Sequence, residues 1–183
     1  MLVSENTLTR RECAFLIGLY DRYSELSSCR GCNRRHLLDY YTIEYVESEA
    51  ASRVYGLTLR CKEKIEANLS TPRLFVESFF VSCLLPGDSQ IAHADNEQRE
   101  RGRWVPNHTP QRDYTGLAYL NDDFTGGELV FPNLDVVIAP KPGLLVGFPS
   151  NHKFLHAVQK VLSGKRYSLP VWFSANSTEA MYL

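Results

Sequence analysis

The sequence predicts an α+β, mainly β domain in which two helices precede a sandwich or jelly roll of short strands. Three observations predict it. Apolar residues recur at helical spacing only before Pro72. Beyond that proline, short β-type runs follow one another closely. Turn signals separate them, namely Thr125-Gly126-Gly127, Pro132-Asn133, Lys141-Pro142-Gly143 and Ser163-Gly164. Many short, evenly punctuated strands characterise sandwiches and jelly rolls, and accompanying helices pack against one sheet.

The first helix opens on a capping box, Thr9 with Glu12, and Leu8 is placed to staple against Cys13. Phe15, Leu16, Leu19, Tyr20 and Tyr23 then recur at helical spacing. The stretch from Ser27 to Arg35 is polar and turn-like. Tyr40 to Val46 alternates and is rich in β-formers, which predicts a strand. A second helix is expected from near Ser48 to Leu69, with Val54, Leu57, Cys61 and Ile65 as its buried stripe. Arg73 to Leu85 is a long β-type run closed by the Pro86-Gly87 turn. Further strands are predicted around His93 and at Tyr114–Leu120, Leu129–Phe131, Val136–Ile138, Leu144–Phe148, His156–Gln159 and Tyr167–Phe173. The expected organisation is one domain over residues 1–183, with a helical support region at 1–71 and the β core at 72–176.

With 183 residues, 44% of them hydrophobic and 22% charged, the chain is long enough to bury its own core. A net charge of −1 offers no general attraction to nucleic acid or an acidic membrane. Arg99, Arg101 and Arg103 are interleaved with Glu97 and Glu100, which reads as a solvated loop rather than a phosphate track. No apolar run approaches the roughly 20 residues that span a bilayer. The first residues show no signal-peptide pattern and the last show no retention or prenylation signal, so a cytoplasmic location is expected. The odd cysteine count, five, agrees with that expectation. Cys29 and Cys32 have C-x-x-C spacing, but no second pair follows at zinc-finger distance.

His93 and Asp95 lie two apart on an extended stretch and so project to one face. A histidine arriving from a distant strand would complete a two-histidine, one-carboxylate set with open positions, the arrangement of non-haem Fe(II) oxygenases. His156, opening a β-type segment, is the better candidate. His108 sits in a polar loop, and His152 in a strand-end loop. Arg166 follows ten residues after His156, and a hairpin through Ser163-Gly164 would set it beside His156 but deeper. A buried guanidinium needs a carboxylate, and its fork suits a bidentate pair. A metal with open positions and a cation further in describe a site for a 2-oxo diacid.

His93-Ala94-Asp95, His156 and Arg166 together resemble the signature of the Fe(II)/2-oxoglutarate-dependent dioxygenases, prolyl hydroxylase type. The local resemblance is strongest to prolyl 3-hydroxylase catalytic domains. Also carrying it are Asn96, the run from Arg112 to Glu128, Val146-Gly147-Phe148 and Lys165. The resemblance implies a double-stranded β-helix, a form of jelly roll, with iron on His93, Asp95 and His156. It implies that Arg166 and the Tyr119 hydroxyl bind the C5 carboxylate of 2-oxoglutarate, and that Leu129 and Trp172 line the same pocket. Ser168 makes an Arg-x-Ser pair with Arg166. Tyr119 and Trp172 also suit plain core aromatics.

The cofactors so implied are Fe(II), 2-oxoglutarate and O2, with ascorbate as an accessory. A carboxylate at Asp95 argues for hydroxylation, because related halogenases carry a small residue there. One departure stands out: many prolyl hydroxylases carry a tyrosine before the Pro-Gly turn, where this chain has Cys83-Leu84-Leu85. The substrate implied is a prolyl residue of a peptide or protein, recognised by a loop from Asn96 to Arg112 that could act as a mobile lid. Rival readings are a hydroxylase of free amino acids or other small molecules, and a non-catalytic, cupin-like metal-binding module. The charge balance disfavours a nucleic-acid dealkylase.

Overall fold

The computed structural model describes residues 1–26, 28–30 and 35–181, with backbone alone at 28–30 and 35. The N-terminal part holds β1 (Leu2–Ser4), α1 (Arg10–Arg22), β2 (Ser28–Arg30), β3 (Arg35–Asp39), α2 (Tyr40–Val46) and α3 (Ser48–Leu69). Then come β4 (Phe75–Leu84), β5 (Gln90–His93), β6 (Glu97–Glu100), β7 (Arg103–Pro106), β8 (Tyr114–Tyr119) and β9 (Thr125–Gly126). The chain closes with β10 (Leu129–Phe131), β11 (Val136–Ile138), β12 (Leu145–Pro149), β13 (His156–Val158), β14 (Val161–Ser163) and β15 (Arg166–Ser174). The paired strands are antiparallel, so the molecule is mainly β with helices gathered at its N-terminal end. No helix among the described residues is long and apolar enough to cross a membrane.

A seven-stranded sheet, ordered β1-β12-β8-β15-β4-β3-β2, carries the helices on one face. A four-stranded sheet, β11-β10-β13-β5, lies on the other. Side-chain alternation explains this layering. Along β15, Tyr167, Leu169, Val171 and Phe173 join a buried cluster with Leu16, Val54, Cys61 and Ile65 of the helices. The intervening residues Arg166, Ser168, Pro170 and Trp172 face the opposite way, into a pocket. Leu117 and Tyr119 of β8 and Val146 and Phe148 of β12 meet Leu129 and Phe131 in a second cluster between the sheets. Both faces of the large sheet are thus covered, and its second face holds the chemistry.

The Thr9–Glu12 capping box forms as the sequence implies. Glu12 also accepts a hydrogen bond from Arg60 Nη1 at 2.8 Å, tying α1 to α3. That bond, helped by Thr9 and opposed by partial burial, lowers the Glu12 carboxyl from the usual 4.5 to about 2. A depressed acid contributes stability that is complete above its unfolded pKa and is lost as pH falls through the folded one. Glu12→Ala should therefore cost about 1 kcal/mol at neutral pH, allowing for solvent screening of a half-exposed pair. Denaturation over a pH series should show the gap from wild type closing between pH 4.5 and about 2.

Three sequence expectations are corrected. Tyr40–Val46 is a helix, not a strand. Asp39 caps it by accepting from the Thr42 amide at 2.9 Å. Its buried pair is Tyr40 and Ile43, a helical i, i+3 spacing, while Tyr45 is 91% exposed. Alternation of β-branched and aromatic residues was the misleading signal, and the local cap decided otherwise. The stretch after Asn96 is not simply a loop: β6 and β7 form a hairpin whose turn, Arg101-Gly102, has positive φ at both residues. That twist suits a two-residue hairpin connection. Finally, His156 and Arg166 do not share a hairpin. β13 pairs with β10 and β5 in the small sheet, whereas β15 pairs with β4 and β8 in the large one. Between them β14 pairs with β9 and carries the chain from one sheet to the other. Of the Cys29 and Cys32 spacing nothing is added, because both side chains lie outside the described residues.

Candidate metal centre

β5 and β13 run antiparallel with His93 opposite His156, which brings the two rings to a centroid distance of 4.3 Å. The chain then leaves β5 and turns Asp95 inward. The Asp95 amide donates to the Ser150 carbonyl at 2.9 Å, and its own carbonyl accepts from Thr109 Oγ1 at 2.8 Å. Asp95 Oδ1 lies 3.6 Å from His93 Nε2 and Oδ2 lies 3.6 Å from His156 Nε2. The three groups offer ligand atoms all within 4.8 Å of one another, so they could hold a metal ion.

Hydrogen bonding sets the state of each candidate ligand. His93 Nδ1 contacts the Ile91 carbonyl at 2.9 Å, and His156 Nδ1 the Phe154 carbonyl at 3.1 Å. A carbonyl only accepts, so each Nδ1 carries a proton and each ring turns its Nε2 toward Asp95. This is the outer-shell pattern found behind metal-bound histidines. Burial would push the Asp95 carboxyl up, but His156, His93 and the Thr115 hydroxyl outweigh it and hold the group well below the usual carboxylate range. Thr115 Oγ1 donates to Asp95 Oδ2 at 2.6 Å and is itself 2.8 Å from Ser150 Oγ.

The same pocket is lined by Arg166, which is 2% exposed. Its Nε donates to the Gly127 carbonyl at 2.8 Å and its Nη1 to Ser168 Oγ at 3.4 Å. None of these partners carries charge, and Nη2 has no hydrogen-bond partner among the described residues. The guanidinium lies 5.0 Å from the Tyr119 ring centroid, and the buried Tyr119 hydroxyl is likewise unpartnered among the described residues. Burial pushes the Tyr119 phenol up to about 12, so it stays a neutral donor at physiological pH. Gly127 makes the seat possible. Its φ is +69°, and a Cβ there would stand 2.8 Å from Arg166 Cδ.

Leu129, Ser168 and Trp172 line the pocket, and the Tyr119 ring packs against the Arg166 guanidinium. Arg112 stacks 4.1 Å over the Trp172 ring and is held by Glu77 at 3.0 Å. His108 is exposed. His152 stands outside the metal set: Nδ1 contacts Glu97 Oε2 at 2.7 Å and the ring stacks on Trp104, which ties the β6–β7 hairpin to the 152–154 turn. Sequence reasoning overlooked Thr115, Ser82 and Gln90 as lining residues. Alternation outward from Tyr119 along β8 would have found Thr115. Ser82 faces the pocket beside Leu84 on β4 and bonds Ser168 Oγ at 2.8 Å.

Three potential metal ligands share one pocket with a buried guanidinium that has no charged partner among the described residues, a combination that suits a metal-dependent enzyme working with an anionic organic cosubstrate. Residues 79–174 match the model of the 2OG-Fe(II) oxygenase superfamily, and the chain belongs to that family. Human prolyl 3-hydroxylase 2 is 39% identical over 96 residues, 47% of this chain but only 13% of that protein. The viral collagen prolyl hydroxylase of Paramecium bursaria Chlorella virus-1, solved with 2OG, superposes with a TM-score of 0.64 at 20% identity, covering 96% of each chain. A Trichoplax adhaerens prolyl hydroxylase, solved with a hypoxia inducible factor peptide, gives 0.66 at 20% identity over 97% of this chain and 84% of that one. These two likenesses concern the fold.

Proposed function

We propose that the chain is an Fe(II)- and 2-oxoglutarate-dependent dioxygenase domain that hydroxylates a prolyl residue of a peptide or protein, releasing succinate and CO2. The observation that carries this reading is the pairing, within one pocket, of the His93–Asp95–His156 set with the uncompensated Arg166 guanidinium. On this reading the two sheets are the walls of a double-stranded β-helix. The residues fit the implied groups. Two neutral imidazoles and one charged carboxylate suit Fe(II) and leave positions free for other ligands. A buried guanidinium without a carboxylate is costly, and the distal carboxylate of 2-oxoglutarate supplies what it lacks.

Iron, 2-oxoglutarate and O2 supply the oxidising chemistry that no side chain possesses. The chain's own residues bind and orient. His93, Asp95 and His156 would hold the metal, with Thr115 fixing the Asp95 carboxylate. Arg166 would clamp the far carboxylate, Tyr119 would add a neutral donor beside it, and Ser168 would steady the guanidinium. Leu129 and Trp172 give the pocket apolar walls that exclude water and strengthen the clamp.

A prolyl substrate is supported by the 39% identity to human prolyl 3-hydroxylase 2 over 96 aligned residues. Mass spectrometry of proline-rich peptides incubated with the protein, iron, ascorbate and 2-oxoglutarate tests it. Gain of one oxygen atom on proline, matched by succinate, is the expected result. Succinate formation stimulated by free amino acids but by no peptide would refute the peptide reading.

A further inference from the structure

One more side chain reaches the metal-facing atoms. Strict alternation along β5 would put Ile91 on the face of His93. The β5–β13 ladder departs from it: His156 pairs with His93 and Val158 with Gln90, so three steps on β5 match two on β13. Such a bulge re-aims the side chains on its strand. Ile91 is turned outward and is 77% exposed. Gln90 is turned into the pocket that holds His93, Asp95, His156 and Arg166.

The Gln90 carboxamide nitrogen lies 3.0 Å from His93 Nε2. With Nδ1 a donor to the Ile91 carbonyl, the neutral His93 ring that binds a metal accepts at Nε2, and the Gln90 amide donates to it. The amide therefore caps the lone pair that would bind a metal. Register also gives its direction. Gln90 is opposite Val158, and Val158 is opposite Leu129 on β10. That row lies next to the His93–His156 row, on the side of Gly127, whose carbonyl holds Arg166. Gln90 thus lies on the clamp side of the metal set, away from the β6–β7 hairpin.

We propose that Gln90 is a positioning residue for the cosubstrate: once a metal takes His93 Nε2, its carboxamide donates instead to the metal-chelating end of 2-oxoglutarate. This rests on the reading of the pocket given above. Gln90 supplies a polar group from the small sheet to a pocket into which β4 of the large sheet presents the apolar Leu84. Arg166 and Gln90 then grip opposite ends of one 2-oxo diacid, the first setting its depth and the second the orientation of its chelating oxygens.

The test uses the wild-type chain, Gln90→Leu and Gln90→Met, the latter keeping side-chain length without a donor should the former fail to fold. Each is loaded with Fe(II) without oxygen and titrated with 2-oxoglutarate, following the visible charge-transfer absorption of the iron–2-oxo acid chelate. Metal affinity is measured separately by competition with a chelator. Loss of one hydrogen bond to a charged acceptor should weaken 2-oxoglutarate binding about tenfold and shift the absorption band. Metal affinity should be unchanged or tighter, because the amide no longer competes for His93. Titrations and bands identical to wild type overturn the proposal. So does a parallel loss of metal and cosubstrate affinity, which would show Gln90 acting only through His93. A wild-type protein with no 2-oxoglutarate-dependent band overturns the reading of the pocket itself.

Discussion

Asp95→Ala should abolish Fe(II)-dependent succinate formation and lower Fe(II) affinity by more than about a hundredfold. The lower bound follows from outer-shell partners, whose loss alone costs roughly 10–100-fold in metal affinity. Asp95 supplies the only negative charge of the set and lies 3.6 Å from both imidazoles. Without it, two neutral rings remain and nothing offsets a dication's lost hydration. Thr115→Val should show the weaker effect, about tenfold, because it removes the 2.6 Å bond that aims Asp95 Oδ2 while leaving all three ligands. Chelator competition measures both variants. Wild-type affinity in Asp95→Ala would sink the metal assignment.

The second large effect belongs to Arg166. Arg166→Ala should raise the 2-oxoglutarate requirement roughly a hundredfold or more, the scale of two lost charge-assisted hydrogen bonds. Metal affinity should stay near wild type, since Arg166 bonds neither histidine nor Asp95. Arg166→Lys should recover only part of the loss, keeping charge without the planar fork. A stability readout separates this from general damage. Ligand bound only by the native state stabilises it, by about 2.7 kcal/mol at a hundredfold excess over Kd. 2-Oxoglutarate with metal should therefore raise the melting temperature of wild type but not of Arg166→Ala. Equal shifts in both proteins would remove Arg166 from the clamp.

What was legible in the sequence divides along physical lines. The helix Ser48–Leu69 was readable because a long amphipathic stripe, Val54 to Ile65, has one dominant period. His93 and Asp95 were readable as one face because their spacing is local. Tyr40–Val46 was misread because seven residues hold barely two turns, too few to separate periods of 2 and 3.6, and the Asp39 cap decides the outcome. Gln90 was invisible for a different reason. Its face depends on a bulge against β13, and a register shift leaves no mark on either strand alone. The route from His156 to Arg166 failed similarly: ten residues suit a hairpin, yet the chain crosses between sheets by way of β14. Local chemistry was legible, and relationships fixed by distant pairing were not.

On the proposed reading, this pocket serves both a metal and a distant carboxylate. Comparing 2-oxoglutarate with 2-oxobutyrate, which keeps the chelating end but lacks the second acid, tests it most directly. Decarboxylation measured with each acid, under iron and oxygen, should proceed with 2-oxoglutarate and be weaker by roughly a hundredfold with 2-oxobutyrate. Equal rates with the two acids would contradict a carboxylate clamp at Arg166, because the second acid group would then make no difference.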